Sequence, residues 1–574
     1  MKLTLARTAG FCMGVRRAVD LVLDASNRAE GPVHTYGPLI HNSQVLDILK
    51  NKGISILDHI PENGQGTVLI RAHGVPPQEK KQLEDIGFSV IDATCPRVIK
   101  VQTIIHRYAQ SDYHTLILGD IDHSEVKGLM GYTQGKGHVI QNIADLKSLP
   151  KFPKAILVAQ TTQNHDFFSQ VSDYLESHLA HYLIFNTICD STSKRQVEVK
   201  EIAKQSDAVV VVGGKNSGNT RRLAEIVQQQ GIPSYHIETE NDLPDQELEN
   251  FQHVGITAGA STPNWIINRV CHHLETMSSK KWGSLFQSFQ QALLFTNLYV
   301  ALGAGALAFA CMCIQGIPPH FQHAMMAFLY VLSMHTLNNY ISRKAERYNY
   351  PYRAMFYERY RFPLLALAFI SGMLGLLLAF FQGMTAFTIL LAMSIMGMAY
   401  KVSLIPAGLT KYHIQKIQDI PGSKTILIAI AWGVVTSILP AIAYTHQVTV
   451  ASLVVFTWST GLVFVRCAFF DLLDIQGNRI VGQETLPGLL GENRTMLLLK
   501  FMSIGLFIWT FVFYMLSQIY ITAVFVGFSA ILFLFFIRFY EKKSVVSSTW
   551  LHLIVESHFI VCGFLAWIPQ ILFN

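Results

Sequence analysis

The sequence predicts a three-lobed, pseudo-threefold α/β domain over residues 1–275, followed by an all-α nine-helix transmembrane bundle over 292–574. Three observations carry this reading. A strand–helix–strand–helix–strand pattern occurs three times in the first half. Composition turns abruptly apolar near residue 280. Beyond that point Lys and Arg keep to alternate loops and the segment ends flanking them. Self-similarity of this kind decides architecture before any single element does. Residues 276–291 form the linker, whose Trp282, Leu285, Phe286 and Phe289 share one helical face and are expected along the membrane surface.

The first element of each repeat is a short β-like run (LTLAR, FSVID, YLIFN) leading into a cysteine that opens a polar helix: Cys12, Cys95 and Cys189. The intervals are 83 and 94 residues, so no local metal knuckle is possible. Under pseudo-threefold symmetry the three thiols converge on one axis. Three thiolates are too few for a closed structural zinc site. They suit an iron–sulfur cluster with one iron open to substrate, and a helix N-terminus favours the thiolate. The bland alternative is three buried, inert cysteines.

The second and third elements repeat at nearly the same offsets. A strand ending in Gly is followed by a polar trio at YGPLIHNS, ILGDIDHSEV and VVVGGKNSGNT, and a later strand ends in a small polar cluster at VLIRAHGV, ILVAQTTQ and VGITAGAST. These place His41, His73, His123, Glu125, Thr161, Ser217, Asn219 and Ser261 in rings around the cysteines. Imidazoles, hydroxyls and an amide near helix N-termini form an anion cradle large enough for a diphosphate. Glu125 is the odd member. An acid among phosphate ligands fits a proton-donating role, since burial near anions raises a carboxyl pKa; the alternative is a solvated acid at a helix start.

The motifs GFCMGVRRA, HN at 41–42, AHGVP, DATCP, HSEVKG, QTT, KNSGNT and TAGAST, in this order, resemble the 4-hydroxy-3-methylbut-2-enyl diphosphate reductase family over residues 1–275. The resemblance implies a 4Fe-4S cluster on Cys12, Cys95 and Cys189. It implies two-electron reductive dehydroxylation of an allylic diphosphate to isopentenyl and dimethylallyl diphosphates, the last step of the methylerythritol phosphate pathway. It implies His41, His73, His123, Ser217, Asn219 and Ser261 around the diphosphate, Thr161 at the substrate hydroxyl, Glu125 as proton source, and a ferredoxin or flavodoxin as electron donor. Gly218 departs from the pattern, where many relatives carry a second Ser, and Lys127 stands where an acidic or neutral residue is usual.

Nine apolar segments follow: 292–314, 322–341, 362–381, 383–400, 424–444, 449–470, 496–517, 520–540 and 549–572, each near the ~20 residues a spanning helix needs. The loops QGIPPHF, FQGM, THQVTV and SQIY carry no Lys or Arg, whereas all of those beyond Lys281 fall in the alternate loops or at the segment ends flanking them. The positive-inside rule then predicts a multi-pass protein of the cytoplasmic membrane, N-terminal domain in the cytoplasm and Asn574 outside. No signal-peptide pattern precedes the first strand. In a reducing compartment the eight cysteines are not expected to form structural disulfides, and Cys271, Cys311, Cys313, Cys467 and Cys562 read as small hydrophobes.

Two polar clusters sit at helix ends on the basic side, MHTLNNYISRKAERYNYPYR and FFDLLDIQGNRIVGQETLPGLLG. Carboxylates in two facing loops can bind Mg²⁺, which bridges phosphate oxygens. The second cluster is similar to the UbiA family of membrane prenyltransferases, and the resemblance spans about 290–574. It implies a Mg²⁺-diphosphate site at Asn338, Glu346, Asp471 and Asp474. Ser342 and Asn478 occupy positions where that family usually carries Asp. The combined expectation is an integral-membrane terpenoid enzyme that acts on small allylic diphosphates and not on nucleic acid. A catalytically silent membrane anchor or lipid-binding second half, an iron–sulfur redox sensor and a transporter are the alternatives.

Overall fold

The computed structural model describes all residues except 29–30, 280–283, 401–416, 418–419, 421, 484, 542–547 and 573–574. The chain divides into two units, Met1–Lys280 and Lys281–Asn574.

The first unit holds three four-stranded parallel sheets. In chain order the strands are β1 (Lys2–Leu5), β2 (Val33–Tyr36), β3 (Ser55–Leu57), β4 (Thr67–Ile70), β5 (Ser89–Asp92), β6 (His114–Leu118), β7 (Gly137–Ile140), β8 (Ala155–Ala159), β9 (Leu183–Ile184), β10 (Ala208–Val212), β11 (Ser234–Ile237) and β12 (His253–Ala258). The sheet orders are β3-β2-β4-β5, β7-β6-β8-β9 and β1-β12-β10-β11. The first strand thus pairs with the last, Lys2 opposite His253, which closes the ring of lobes. AVVVV at β10 and AILVA at β8 are buried throughout, as parallel strands covered on both faces must be.

Each cysteine follows an edge strand of its sheet, after β1, β5 and β9. The backbone N–H groups of Cys12, Cys95 and Cys189 donate to the carbonyls of Ala260, Ala72 and Thr161 at 3.0, 2.9 and 2.9 Å. Those carbonyls follow β12, β4 and β8, so one hydrogen bond recurs in three lobes and ties each cysteine to the strand end beside it.

In the second unit, seven helices among the described residues are long and apolar enough to cross a membrane: Leu298–Gln315, Arg361–Gln382, Ser423–Thr445, Val450–Leu473, Glu492–Met515, Thr522–Glu541 and Leu551–Leu572. The other two expected segments are also helices, Phe321–Ile341 and Met384–Ala399, but fall outside that long and apolar set. Phe321–Ile341 has the length, but His323, Ser333, His335, Thr336, Asn338 and Asn339 reduce its apolar character. Met384–Ala399 has 16 residues, about 24 Å of helix against a hydrocarbon core of about 30 Å. Within Ser423–Thr445 the backbone widens to a π-helical turn over Val434–Ile438 just before Pro440, whose ring cannot share an ordinary helical turn. Trp282, the side chains of Leu285 and Phe286, Lys401, Lys411, Lys416, Lys542, Lys543 and Asn574 lie outside what is described, so the linker face and part of the loop-charge pattern do too.

Candidate functional site

All eleven residues expected at the first site line one cavity: Cys12, Cys95, Cys189, His41, His73, His123, Glu125, Thr161, Ser217, Asn219 and Ser261. Cys95 and Cys189 are the N-caps of Pro96–Ala109 and Asp190–Gln205, and Cys12 precedes the helix Met13–Arg28. Val15 N–H donates to Cys12 Sγ at 3.4 Å. The sulfurs crowd the helix of the first lobe: a Cβ on Gly14 would lie 2.4 Å from Cys95 Sγ, so only glycine fits there. Burial first, then the adjacent Cys12 and Cys189 sulfurs, push the Cys95 thiol up, against backbone N–H donors from Arg97 and Val98. Three sulfurs gathered in one pocket repel as thiolates unless a cationic centre lies among them. This donor set fits an iron–sulfur cluster.

The three imidazoles form a triangle with ring centroids 4.7, 5.3 and 5.6 Å apart. Burial lowers the pKa of each, that of His123 to about 4 and that of His73 well below its ordinary value. All three are neutral at pH 7. Glu125 N–H donates to His123 Nδ1 at 3.1 Å, which fixes the proton on Nε2. His41 Nε2, His73 Nδ1 and Asn219 Nδ2 are buried without a hydrogen-bond partner. Buried polar atoms are rarely left so, and these call for a polar ligand. The cradle ends at the helix Gly218–Gln229, capped by Ser217 Oγ accepting from Thr220 N–H. Ser261 Oγ donates to the His41 carbonyl at 3.1 Å and joins two lobes.

Glu125 is 1% exposed. Thr161 N–H donates to its Oε1 at 2.7 Å, and Thr161 Oγ1 donates to Oε2 at 2.8 Å. Both bonds favour the carboxylate, yet burial outweighs them and raises the pKa from 4.5 to about 7. When Glu125 is protonated, Oε1 must still accept from the backbone, so the proton sits on Oε2. Oε2–H then donates to Thr161 Oγ1, and the threonine hydroxyl proton is free to turn into the cavity.

Sequence reasoning missed Arg195 and the Arg222–Asp120 pair. Arg195 is buried and donates to the carbonyls of Ala258 and Gly10 at 3.0 and 2.7 Å, bracing the loop before Cys12. Arg222 donates to both carboxylate oxygens of Asp120 at 3.0 Å, near His123. The double Arg in KNSGNTRRL was the available signal for Arg222. Nothing in the sequence marked Arg195.

In the second unit, Asn338, Glu346, Asp471 and Asp474 line a second, polar cavity together with Arg353, Lys424 and Arg466. Ser342 and Asn478 are buried; Ser342 Oγ donates to Asn338 Oδ1, and Asn478 Oδ1 accepts from Asn349, both at 3.4 Å. An apolar cavity lined by Met334, Met393, Met396, Leu427 and Trp432 shares His335, Asn338 and Lys424 with the polar one.

The LytB protein family profile matches residues 3–275, and that of the UbiA prenyltransferase family matches 297–554. The 4-hydroxy-3-methylbut-2-enyl diphosphate reductase of Opitutus terrae is 39% identical over 289 residues, covering 48% of this chain and all of the relative. The solved (E)-4-hydroxy-3-methyl-but-2-enyl diphosphate reductase, terminal enzyme of the non-mevalonate pathway, is 40% identical. It covers 48% of this chain and 100% of that one, with a TM-score of 0.39. A UbiA homologue from Archaeoglobus fulgidus bound to GPP and Mg²⁺ is 16% identical over 47% of this chain and 98% of that one, with a TM-score of 0.35. The second half matches the UbiA prenyltransferase family profile, and through its first half this chain belongs to the 4-hydroxy-3-methylbut-2-enyl diphosphate reductase family.

Proposed function

We propose that the first half reduces (E)-4-hydroxy-3-methylbut-2-enyl diphosphate to isopentenyl and dimethylallyl diphosphate, using a 4Fe-4S cluster on Cys12, Cys95 and Cys189. The observation that carries this is the one cavity lined by three sulfurs, three neutral imidazoles, of which His41 and His73 each have an unpaired buried nitrogen, and a proton-bearing glutamic acid. When bound, the cluster supplies single electrons and a Lewis-acidic iron for the substrate hydroxyl. His123 Nε2–H, His41, His73, Asn219 and the Ser217 and Ser261 hydroxyls bind the diphosphate. Thr161 Oγ1 orients the hydroxyl and passes it the proton held on Glu125 Oε2. A reduced ferredoxin or flavodoxin delivers the electrons.

The second half sits in the cytoplasmic membrane with the reductase half in the cytoplasm and the C-terminus outside, a reading supported by the loop charges. Its polar cavity takes a prenyl diphosphate headgroup with Mg²⁺, and the apolar cavity beside it takes the chain. The test is anaerobic purification of the full chain, assayed with the hydroxylated substrate and, separately, with labelled prenyl diphosphate plus membrane lipids. Cys12→Ser, Cys95→Ser and Cys189→Ser are each expected to abolish reduction. Normal turnover in any of them overturns the three-thiolate assignment. Absence of any prenyl transfer leaves an anchor as the better account of the second half.

A further inference from the structure

We propose that in the membrane-half cavity the Arg353 guanidinium takes the place of one divalent cation, so that a diphosphate headgroup is bound there by Arg353, Lys424 and a single Mg²⁺ on Asp471 and Asp474. This deepens the prenyl-diphosphate reading of that cavity and rests on it.

The first polar loop has one carboxylate on the cavity, Glu346, and that carboxylate is already committed. The helices Arg343–Asn349 and Pro351–Arg359 meet at Tyr350, and this bend returns Arg353 to Glu346. Arg353 Nε donates to Glu346 Oε2 at 2.7 Å and Nη2 donates to the same oxygen, with both side chains under one-fifth exposed. The guanidinium stacks on Tyr350, its Cζ 4.3 Å from the ring centroid, and Tyr350 Oη donates to Asp474 Oδ1 at 2.6 Å. Arg353 is thus fixed between the two acidic loops. Two of its five N–H groups are spent on Glu346, which leaves three for phosphate oxygens. A metal ion on Glu346 would lie against this fixed positive charge, so the first loop does not fit a cation.

The second loop does. Asp471 and Asp474 lie three residues apart at the end of Val450–Leu473, on one helical face. Asp471 accepts from Thr425 through Oδ2 and Asp474 from Tyr350 through Oδ1, and each keeps a second oxygen. One or two carboxylates plus phosphate oxygens are the usual protein share of a Mg²⁺ shell. Arg466 is closed off by its ion pair with Glu556. Lys424 lines both cavities and makes no ion pair with another described residue. It is the second cation free to meet a headgroup whose chain lies in the apolar cavity.

The experiment measures geranyl diphosphate binding to the full chain in nanodiscs across free Mg²⁺. All proteins carry His73→Ala, so that the reductase pocket does not take up the probe. The expected slope of log affinity against log Mg²⁺ is about one. Arg353→Gln combined with Glu346→Gln removes the pair without stranding a charge, and is expected to weaken binding about tenfold or more with the slope unchanged. Arg353→Asn alone frees Glu346 and is expected to raise the slope toward about two. A slope of about two or zero in the parent, or unchanged affinity in the double variant, overturns the proposal while the prenyl-diphosphate reading stands. No binding at any Mg²⁺ concentration sinks that reading and the proposal with it.

Discussion

Replacing Glu125 by Gln keeps the shape of the buried side chain and an acceptor for Thr161 N–H, and removes the one acid on the cavity that holds a proton near neutrality. With a pKa of about 7, Glu125 is roughly 90% protonated at pH 6 and roughly 10% at pH 8. If its proton reaches the departing hydroxyl, kcat/KM falls about tenfold per pH unit above pH 7, because that ratio reports the free enzyme. Glu125→Gln is expected to lose 10²–10⁴-fold in kcat, roughly the worth of a positioned general acid, with KM changed little. The assay is anaerobic turnover driven by a chemically reduced viologen, with the iron–sulfur absorbance recorded to confirm equal cluster content. A Gln variant within about threefold of the parent rate, or a parent profile flat from pH 6 to 8.5, refutes proton delivery by Glu125.

The same residue predicts a stability effect of definite sign. Its folded pKa is raised, so between pH 4.5 and about 7 the unfolded chain releases a proton that the native state keeps, and stability falls across that window by up to ~3 kcal/mol; thermal melts of Glu125→Gln should lack this decline. Asn219→Ala removes a buried, unpaired amide from the cavity proposed to hold the diphosphate, so KM should rise at least about tenfold with kcat largely kept. Gly218→Ser should fold normally, since its Cβ meets nothing nearer than Arg222 Nη1 at 3.4 Å, and the added hydroxyl should lower KM; a raised KM would show that the helix start lacks the room. Glu556→Gln strands the buried Arg466 charge and should destabilise the second unit by about 3–5 kcal/mol, read as a lower melting temperature in detergent.

The triplicated motif order made the first site readable before any coordinates. Cys12, Cys95 and Cys189 stand at strand-to-helix junctions whose spacing follows the repeat, and convergence on an axis is a property of the repeat itself. The histidines, Glu125, Thr161, Ser217, Asn219 and Ser261 followed by the same offsets. Apolar run length and loop charge likewise marked a membrane bundle. Seven of the nine marked runs are, among the described residues, helices long and apolar enough to cross a membrane, and Phe321–Ile341 carries His335, Asn338 and Asn339 to the polar cavity.

What tertiary structure alone decided are the pairings between residues without a periodic relation. Arg195 reaches Gly10 across 185 residues, and Arg222 reaches Asp120 across 102. Glu346 reads in sequence as a metal ligand, and the bend at Tyr350 turns it into the partner of Arg353. The protonation state of Glu125 belongs here too. Sequence named the acid and the need for a proton, but its pKa depends on how much water is excluded and on two bonds from Thr161, and both exist only once β8 packs beside the helix Ser124–Met130. Repetition and hydropathy are local and survive in a string of letters; desolvation and charge pairing are set by distance in space.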